Sequence, residues 1–358
     1  MFTSLPLLKF LSIGLFGVFP LSLLLTRLMI RVNISAEPMQ RSSHKAPTPT
    51  AGGVSFIVTF WLTFFGFLWM QAPEVFASPR IYFVLFGLAS LILGSIGLKD
   101  DFKPLSYRFR LFVQLFCVLL LVCQGLQIQF PAFDVSSAEG WAAGLITTFC
   151  LVSLINGANF VDGLNGLLAG SFLISLIFNI LILVPTGGDL AVFYIFLFFS
   201  VLGFFVFNFP KAKIFMGDIG STFLGLAIGF SSLMSQLYYP YLSDTAWVHK
   251  GFIYTLTPLG FLWFDVGFTL LRRAFLGRRL TEPHRDHLIH ILNDSGYSHT
   301  LISSIHFALT TLMGGLTLLS HYGHLTFLSF FLIYAAGQTL FCFWVFSEKR
   351  RYVALKSP

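Results

Sequence analysis

The stretch Asn156-Gly-Ala-Asn-Phe-Val-Asp-Gly-Leu-Asn-Gly166 lies between two long apolar runs. It holds three asparagines, one aspartate and three glycines, with no lysine or arginine. Hydrocarbon would expel such a cluster, because an unsatisfied polar group there costs several kcal/mol. The stretch must therefore sit at a membrane edge and meet other polar groups. Asn156, Asn159 and Asp162 recur at i, i+3 and i+6, which stacks them along one side of a helical turn.

The surrounding composition supports a membrane setting. Of 358 residues, 56% are hydrophobic and only 10% charged, against roughly 25% charged in soluble domains. That excludes a soluble domain with a single anchor. Cys117, Cys123, Cys150 and Cys342 all fall in apolar runs without ligand spacing and read as small core residues. The N-terminal run carries Lys9 before it and Arg27 and Arg31 after it, with no small-residue cleavage site, so it reads as a retained first helix.

A span needs about 20 mostly apolar residues. Runs of this kind occupy 5–26, 52–70, 80–98, 109–126, 141–155, 167–184, 190–208, 221–238, 251–271, 301–319 and 325–346. The expected fold is an all-α integral membrane protein of about eleven transmembrane helices, in one polytopic domain spanning residues 1–358. With the N-terminus periplasmic, 19 of the 22 lysines and arginines fall on the cytosolic side, leaving Lys9, Arg80 and Lys250 outside. The basic C-terminal tail is then cytosolic, and the polar segments form a site on cytosolic loops.

Five polar segments fall on that side. The first, Arg41-Ser-Ser-His-Lys-Ala-Pro-Thr-Pro-Thr-Ala-Gly-Gly53, places the cations His44 and Lys45 near paired glycines that permit close approach at a helix entrance. The second, Gly97-Leu-Lys-Asp-Asp-Phe-Lys-Pro-Leu-Ser106, carries the adjacent carboxylates Asp100 and Asp101, which repel unless a cation lies between them. Mg²⁺ takes one or two carboxylates plus substrate oxygens and suits that position. The third is the opening stretch.

The fourth, Asn208-Phe-Pro-Lys-Ala-Lys-Ile-Phe-Met-Gly-Asp-Ile-Gly-Ser-Thr222, sets Asp218 between glycines ahead of a helix. Ser221 is a natural N-cap, and free amides at a helix start suit a phosphate. The fifth begins with Asp265, about two turns inside a span, where a carboxylate marks a functional site or an ion pair with a nearby arginine. It continues past Arg272, Arg273, Arg278 and Arg279 to Glu282-Pro-His-Arg-Asp-His-Leu-Ile-His290. Metal binding and acid–base chemistry are open to His284, His287 and His290, and contact of the imidazoles with phosphate is the favoured reading. A hard-oxygen site elsewhere argues against zinc.

Carboxylates for a metal, cations for phosphates and glycine-rich helix starts on one surface describe phosphoryl transfer. No Walker-type GxxxxGK[ST] is present, which argues against an ATPase. A secondary transporter, the reading from another class, would hold its acids near the bilayer midplane on broken helices. Here most acids sit at helix ends.

Together these segments resemble the polyprenyl-phosphate N-acetylhexosamine-1-phosphate transferases, of the glycosyltransferase 4 type. The resemblance rests on Lys-Ala-Pro-Thr-Pro-Thr-Ala-Gly-Gly, Lys-Asp-Asp, Asn-Gly-Ala-Asn-Phe-Val-Asp-Gly, Phe-Met-Gly-Asp-Ile-Gly-Ser-Thr and the spaced histidine loop, five motifs in order over essentially the whole chain. It implies that a polyprenyl (undecaprenyl) phosphate attacks the sugar-bound phosphate of a UDP-N-acetylhexosamine and releases UMP, initiating a lipid-linked surface polysaccharide in the bacterial inner membrane. The implied cofactor is Mg²⁺, with Mn²⁺ as substitute, held by Asp218, Asp100 and Asp101.

The resemblance further implies catalytic roles for Asp100, Asp101, Asp162, His284 and His287. Lys45, Asn156, Asn159, Gly163, Leu164, Asn165, Asn208, Phe215 and His290 fall at nucleotide, sugar or diphosphate positions. The partners are the UDP-sugar, the polyprenyl phosphate and membrane lipid, with no nucleic acid, and a homodimer is compatible with the architecture. The His-Arg-Asp-His-Leu-Ile-His loop and the Gly-Asp-Ile-Gly-Ser-Thr wording resemble the N-acetylhexosamine branch more than the phospho-N-acetylmuramoyl-pentapeptide branch, which is the alternative. Many members carry a second aspartate where this chain has Asn165, so an altered nucleotide or sugar preference is expected.

Overall fold

The computed structural model describes residues 4–33, 48–70, 79–130, 138–183, 188–238, 249–279 and 284–356. Lys45 and His44 lie outside the described residues. Helix α1 (Ser4–Ile13) runs through a π turn (Gly14–Val18) into α2 (Phe19–Val32). Next come α3 (Gly52–Met70), α4 (Arg80–Phe102), α5 (Tyr107–Val122), α6 (Ala138–Val161) and α7 (Leu167–Leu183). They are followed by α8 (Asp189–Asn208), α9 (Gly217–Tyr238), α10 (Lys250–Leu256), α11 (Gly260–Phe275), α12 (Leu288–Asp294), α13 (His299–His321) and α14 (Phe327–Lys356). No β-strand occurs among the described residues.

Counting α1–α2 and α10–α11 as single rods, each of the eleven expected spans coincides with a helix. Only eight rods among the described residues are long and apolar enough to cross a membrane by length and composition. The other three have distinct physical reasons. Helix α7 is a shorter apolar helix of 17 residues and α5 has 16. Helix α9 is diluted by Ser231, Ser232, Ser235 and Gln236, all buried. It is the central helix and packs on α3, α4, α6 and α10, so it presents protein rather than lipid with its side chains.

Small residues let α9 be surrounded so tightly. A Cβ on Gly225 would lie 2.6 Å from the Cα of Ile155, and one on Gly229 would lie 2.5 Å from Leu151 Cδ2, so α6 rides directly against the α9 backbone. Beside this contact is an aromatic core. Phe60 stacks on Phe64 with centroids 5.3 Å apart, and Phe86 stacks on Phe230 at 4.6 Å. Phe193 packs edge-on against Phe60, Phe64 and Phe86. Such pairs are worth about 0.5–1.5 kcal/mol each beyond area burial.

The α10–α11 rod breaks at a 3₁₀ turn, Thr257–Leu259, because Pro258 has no N–H to offer the preceding turn. Side chains take the loosened carbonyls. Thr257 Oγ1 donates to the Tyr254 carbonyl at 3.3 Å, and Asn179 Nδ2 donates to the Thr255 carbonyl at 3.3 Å.

Two helix ends differ from expectation in ways that matter for the site. Helix α6 continues through Asn156 and Asn159 to Val161, so those amides are helical and Asp162 lies in the turn just beyond. Helix α4 continues to Phe102, which puts Asp100 and Asp101 in its last turn and not in a loop. The cysteines are free, and Cys117 is buried as expected. Cys123 is exposed, because α5 ends at Val122 and leaves it in the following turn.

Candidate active site

The C-terminal ends of α4 and α6 and the N-terminal ends of α3, α5 and α9 meet at one end of the bundle. The close approach of α4 to α9 is made by Gly97, whose absent Cβ would lie 2.7 Å from both Cα and N of Ile219. On the other flank, the Gly53 amide donates to the Met216 carbonyl and the Gly52 amide to the Phe215 carbonyl, both at 2.9 Å. The Phe215 amide donates to the Pro49 carbonyl at 2.7 Å. The paired glycines thus admit backbone: a Cβ on Gly53 would lie 2.6 Å from the Gly220 Cα.

The amides that begin α9 are already engaged. The Asp218 N–H donates to Asp101 Oδ1 at 2.9 Å, and the Ile219 N–H donates to Asp101 Oδ2 at 3.4 Å. A carboxylate from another helix therefore caps α9. This corrects two expectations: the α9 start does not hold those two amides free for a phosphate, and Ser221 is not its N-cap. Ser221 lies inside the helix, donating to the Gly217 carbonyl at 3.2 Å. Gly217 is required at the turn itself, with φ +71° and Asp101 Oδ2 against the place of a Cβ.

Asp218 is held from two sides. Asn159 Nδ2 donates to its Oδ1 at 2.8 Å and to Ser221 Oγ at 3.1 Å. Arg110 Nη1 donates to its Oδ2 at 2.9 Å and to Asp100 Oδ2 at 2.7 Å. The other Asp100 oxygen accepts the Leu105 N–H at 2.5 Å, closing the turn between α4 and α5. Asp162 stands close by in the turn after α6. Burial raises its pKa well above the ordinary carboxylate value, and the charges of Asp218 and Asp101 add to that rise.

Four carboxylates from three helix ends are thus gathered, as the polar segments suggested. They do not form a ready-made ligand set: no group of three or more His, Cys, Asp or Glu arranged for a metal occurs among the described residues. The reason is visible in the bonds just given. Asp101 is turned to the α9 amides, and a guanidinium stands between Asp100 and Asp218. The donors are still hard oxygens of the kind Mg²⁺ takes, and an oxygen-rich cluster fits that ion.

Several expected ligand residues serve the scaffold here. Asn156 exchanges amide hydrogen bonds with Gln114, at 2.7 and 3.3 Å, and joins α6 to α5. Asn208 is buried, accepting from the Gly166 N–H and donating to the Ile214 carbonyl, both at 2.9 Å. It clamps the 162–166 turn to the 209–216 loop. Asn165 Nδ2 donates to the Pro210 carbonyl at 3.2 Å, and Ser303 Oγ donates to the Asn165 carbonyl at 2.8 Å. An aspartate could not make that first donation. Leu164 is buried, and Phe215 is half-buried beside the site.

The histidine loop reaches the same region through a glycine. A Cβ on Gly163 would lie 2.7 Å from His290 Cε1, so Gly163 makes room for that ring next to Asp162. His284 stacks on His287 with centroids 5.0 Å apart, and His290 lies 6.2 Å from His287. Burial and the charges nearest each ring depress His284 to about 4 and His290 to about 4. Both are neutral at pH 7.

Asp265 holds this loop in place. Fully buried, it accepts the Leu288 N–H at 2.7 Å, the Ile289 N–H at 3.2 Å and Thr269 Oγ1 at 3.1 Å, with His287 Nδ1 at 3.4 Å. It caps α12 instead of pairing with an arginine. The arginines go to Asp286, which pairs with Arg273, with Arg278 at 3.3 Å and with Arg272 at 3.8 Å. Arg110 was read from the sequence only as topological charge, and Asp286 was given no role of its own. The four residues between α4 and α5 gave the signal for Arg110, since so short a turn must bring it back over Asp100.

Half-buried carboxylates at helix ends, neutral imidazoles and a basic loop thus share one end of a helical bundle, and similarity to known proteins identifies the class as a membrane transferase. Residues 82–236 match the model of glycosyl transferase family 4, and the chain belongs to that family. It is 29% identical over 294 residues to a probable undecaprenyl-phosphate N-acetylglucosaminyl 1-phosphate transferase of Bacillus subtilis, covering 81% of this chain and 78% of that one. It is 31% identical over 293 residues to a decaprenyl-phosphate N-acetylglucosaminephosphotransferase of Mycobacterium tuberculosis, covering 75% and 71%. A phospho-N-acetylmuramoyl-pentapeptide-transferase of Bacillus pumilus is 33% identical over 228 residues, covering 60% and 69%.

Proposed function

We propose that this protein transfers N-acetylhexosamine 1-phosphate from a UDP-sugar to polyprenyl phosphate, releasing UMP, on the cytosolic face of a bacterial inner membrane. The observation that carries this reading is the gathering of Asp100, Asp101, Asp162 and Asp218 at one point where helix ends meet. In the reaction a phosphate oxygen of the lipid bonds to the sugar-bound phosphorus. The bond from that phosphorus to the UMP oxygen breaks, and UMP leaves with the electron pair.

Asp218 and Asp100 would hold Mg²⁺, or Mn²⁺ in its place. That ion supplies positive charge to the diphosphate oxygens as they become more negative. Asp162, kept protonated more readily than an ordinary carboxylate, would meet the lipid phosphate without adding full negative charge. His290 and His284, uncharged at neutral pH, would donate hydrogen bonds to the sugar and its phosphate. The charge distribution supports the cytosolic placement, since 19 of 22 lysines and arginines then lie inside.

The test is purified protein with Mg²⁺, undecaprenyl phosphate and a panel of UDP-sugars, followed by UMP release. UMP should appear with a UDP-N-acetylhexosamine. Release only with the UDP-muramyl-pentapeptide would favour the second reading, which the Bacillus pumilus relative supports. No release with any donor, where a relative assayed in parallel is active, would end the proposal.

A further inference from the structure

Arg110 lies in the first turn of α5, whose backbone is fixed by the Ser106 cap: Phe109 N–H donates to Ser106 Oγ at 3.3 Å and Arg110 N–H to the Ser106 carbonyl at 3.1 Å. The side chain is less constrained, with 37% of it exposed. Its Nη1 alone bridges Asp100 Oδ2 at 2.7 Å and Asp218 Oδ2 at 2.9 Å. Asp100 and Asp218 make no other Lys or Arg ion pair among the described residues.

We propose that Arg110 is an internal competitor of the divalent cation: it bridges Asp100 and Asp218 when no ion is bound and must release Asp218 for one to bind. This rests on the metal reading given above. The bridging oxygens are the ones a hard cation would take, and such an ion needs oxygens at 2.0–2.1 Å, which leaves no room for a guanidinium nitrogen on the same pair. Once displaced, the exposed side chain is free to turn toward the incoming phosphates, whose charge replaces that of Asp218. Arg110 thereby couples ion binding to substrate binding, since without substrate the ion must displace a cation that then has no anion to meet.

The consequence separates this role from simple scaffolding. If Arg110 only kept the carboxylates in place, its loss would weaken ion binding. If it competes, its loss strengthens ion binding in the absence of substrate while turnover falls. Mn²⁺ binding to the full-length detergent-solubilised protein, read by electron paramagnetic resonance without substrate, should tighten roughly tenfold or more in Arg110→Met. Arg110→Lys, with its more compact charge, should fall between, and it also serves if Arg110→Met does not accumulate in membranes.

Equal or weaker Mn²⁺ affinity in both variants would overturn the competitor role while leaving the metal reading in place. Absence of Mn²⁺ binding in wild type and variants alike would remove the metal reading and this proposal with it. UDP-sugar added to the wild type should tighten Mn²⁺ binding more than it does in Arg110→Met. A gain of the same size in both would also count against the coupling.

Discussion

Asp101 caps a helix to which it does not belong: its two carboxylate oxygens take the amides of Asp218 and Ile219 at the start of α9. The residue expected to hold metal with Asp218 is also the residue that aims Asp218. These contributions can be separated by chemistry. Asn at 101 keeps one acceptor for the Asp218 amide and loses the charge, and Asn ranks level with Asp as a cap whereas Ala costs about 1 kcal/mol. Asp101→Asn should unfold near the wild-type temperature yet lose at least tenfold in UMP release, while Asp101→Ala loses both. Equal activity in wild type and Asp101→Asn would leave capping as the whole role.

Asp218 has one oxygen toward Asn159 and the other toward Arg110. Asp218→Asn preserves shape and removes charge at the point where the cation is expected. Turnover should drop at least about a hundredfold, roughly 2.7 kcal/mol of barrier, with unchanged membrane insertion by fractionation. Near-normal UMP release would count against Asp218 as a metal ligand.

Gly163 leaves no room for a side chain because His290 is there. Gly163→Ala should cost about 1–3 kcal/mol by overpacking and slow turnover by displacing the ring. Thermal unfolding offers the check: removing the ring in Gly163→Ala/His290→Ala should recover part of the stability lost in Gly163→Ala. A double variant less stable than both single ones would show the clash is not with His290.

The neutral histidines give the fold a pH dependence of definite sign. His284 and His290 titrate at about 4 in the fold, against roughly 6.5 in an unfolded chain. Between those values the unfolded chain binds more protons, so stability falls as pH falls through that window and is fully present above it. Burial works against the charge of Asp286, but its bond to Arg273 and the surrounding cations outweigh it and lower its pKa, so its contribution is lost only at still lower pH. Asp162, whose raised pKa acts in the opposite sense, is common to both proteins, so between pH 7 and pH 5 the unfolding temperature of the wild type should fall relative to that of His284→Gln/His290→Gln.

How far the sequence revealed this site depended on the kind of residue. Asp100, Asp101, Asp162 and Asp218 were conspicuous because acids are rare in this chain and each sits where an apolar run ends. The alternation of spans then placed them on one side. Their partners were not legible in the same way. Gln114 and Asn156 are 42 residues apart, and Asp218 and Asp101 are 117 apart, so no local pattern links them. Asn208 and Asn165 were singled out through the family resemblance, and the contacts they make within the fold, to Gly166, Ile214, Pro210 and His299, join segments that no local pattern links. The run 221–238 read as a span like the others, whereas the helix it forms, α9, is packed against α3, α4, α6 and α10 and buries Ser231, Ser232, Ser235 and Gln236.

That enclosure of α9 has a consequence for life in real bilayers. The outer rods can lean as a membrane thickens or thins, because their sides rest against fluid chains. Helix α9 is gripped along its length by α3, α4, α6 and α10, and its first turn is tied to Asp101. The turn that carries Asp218 therefore has its depth set by the surrounding helices.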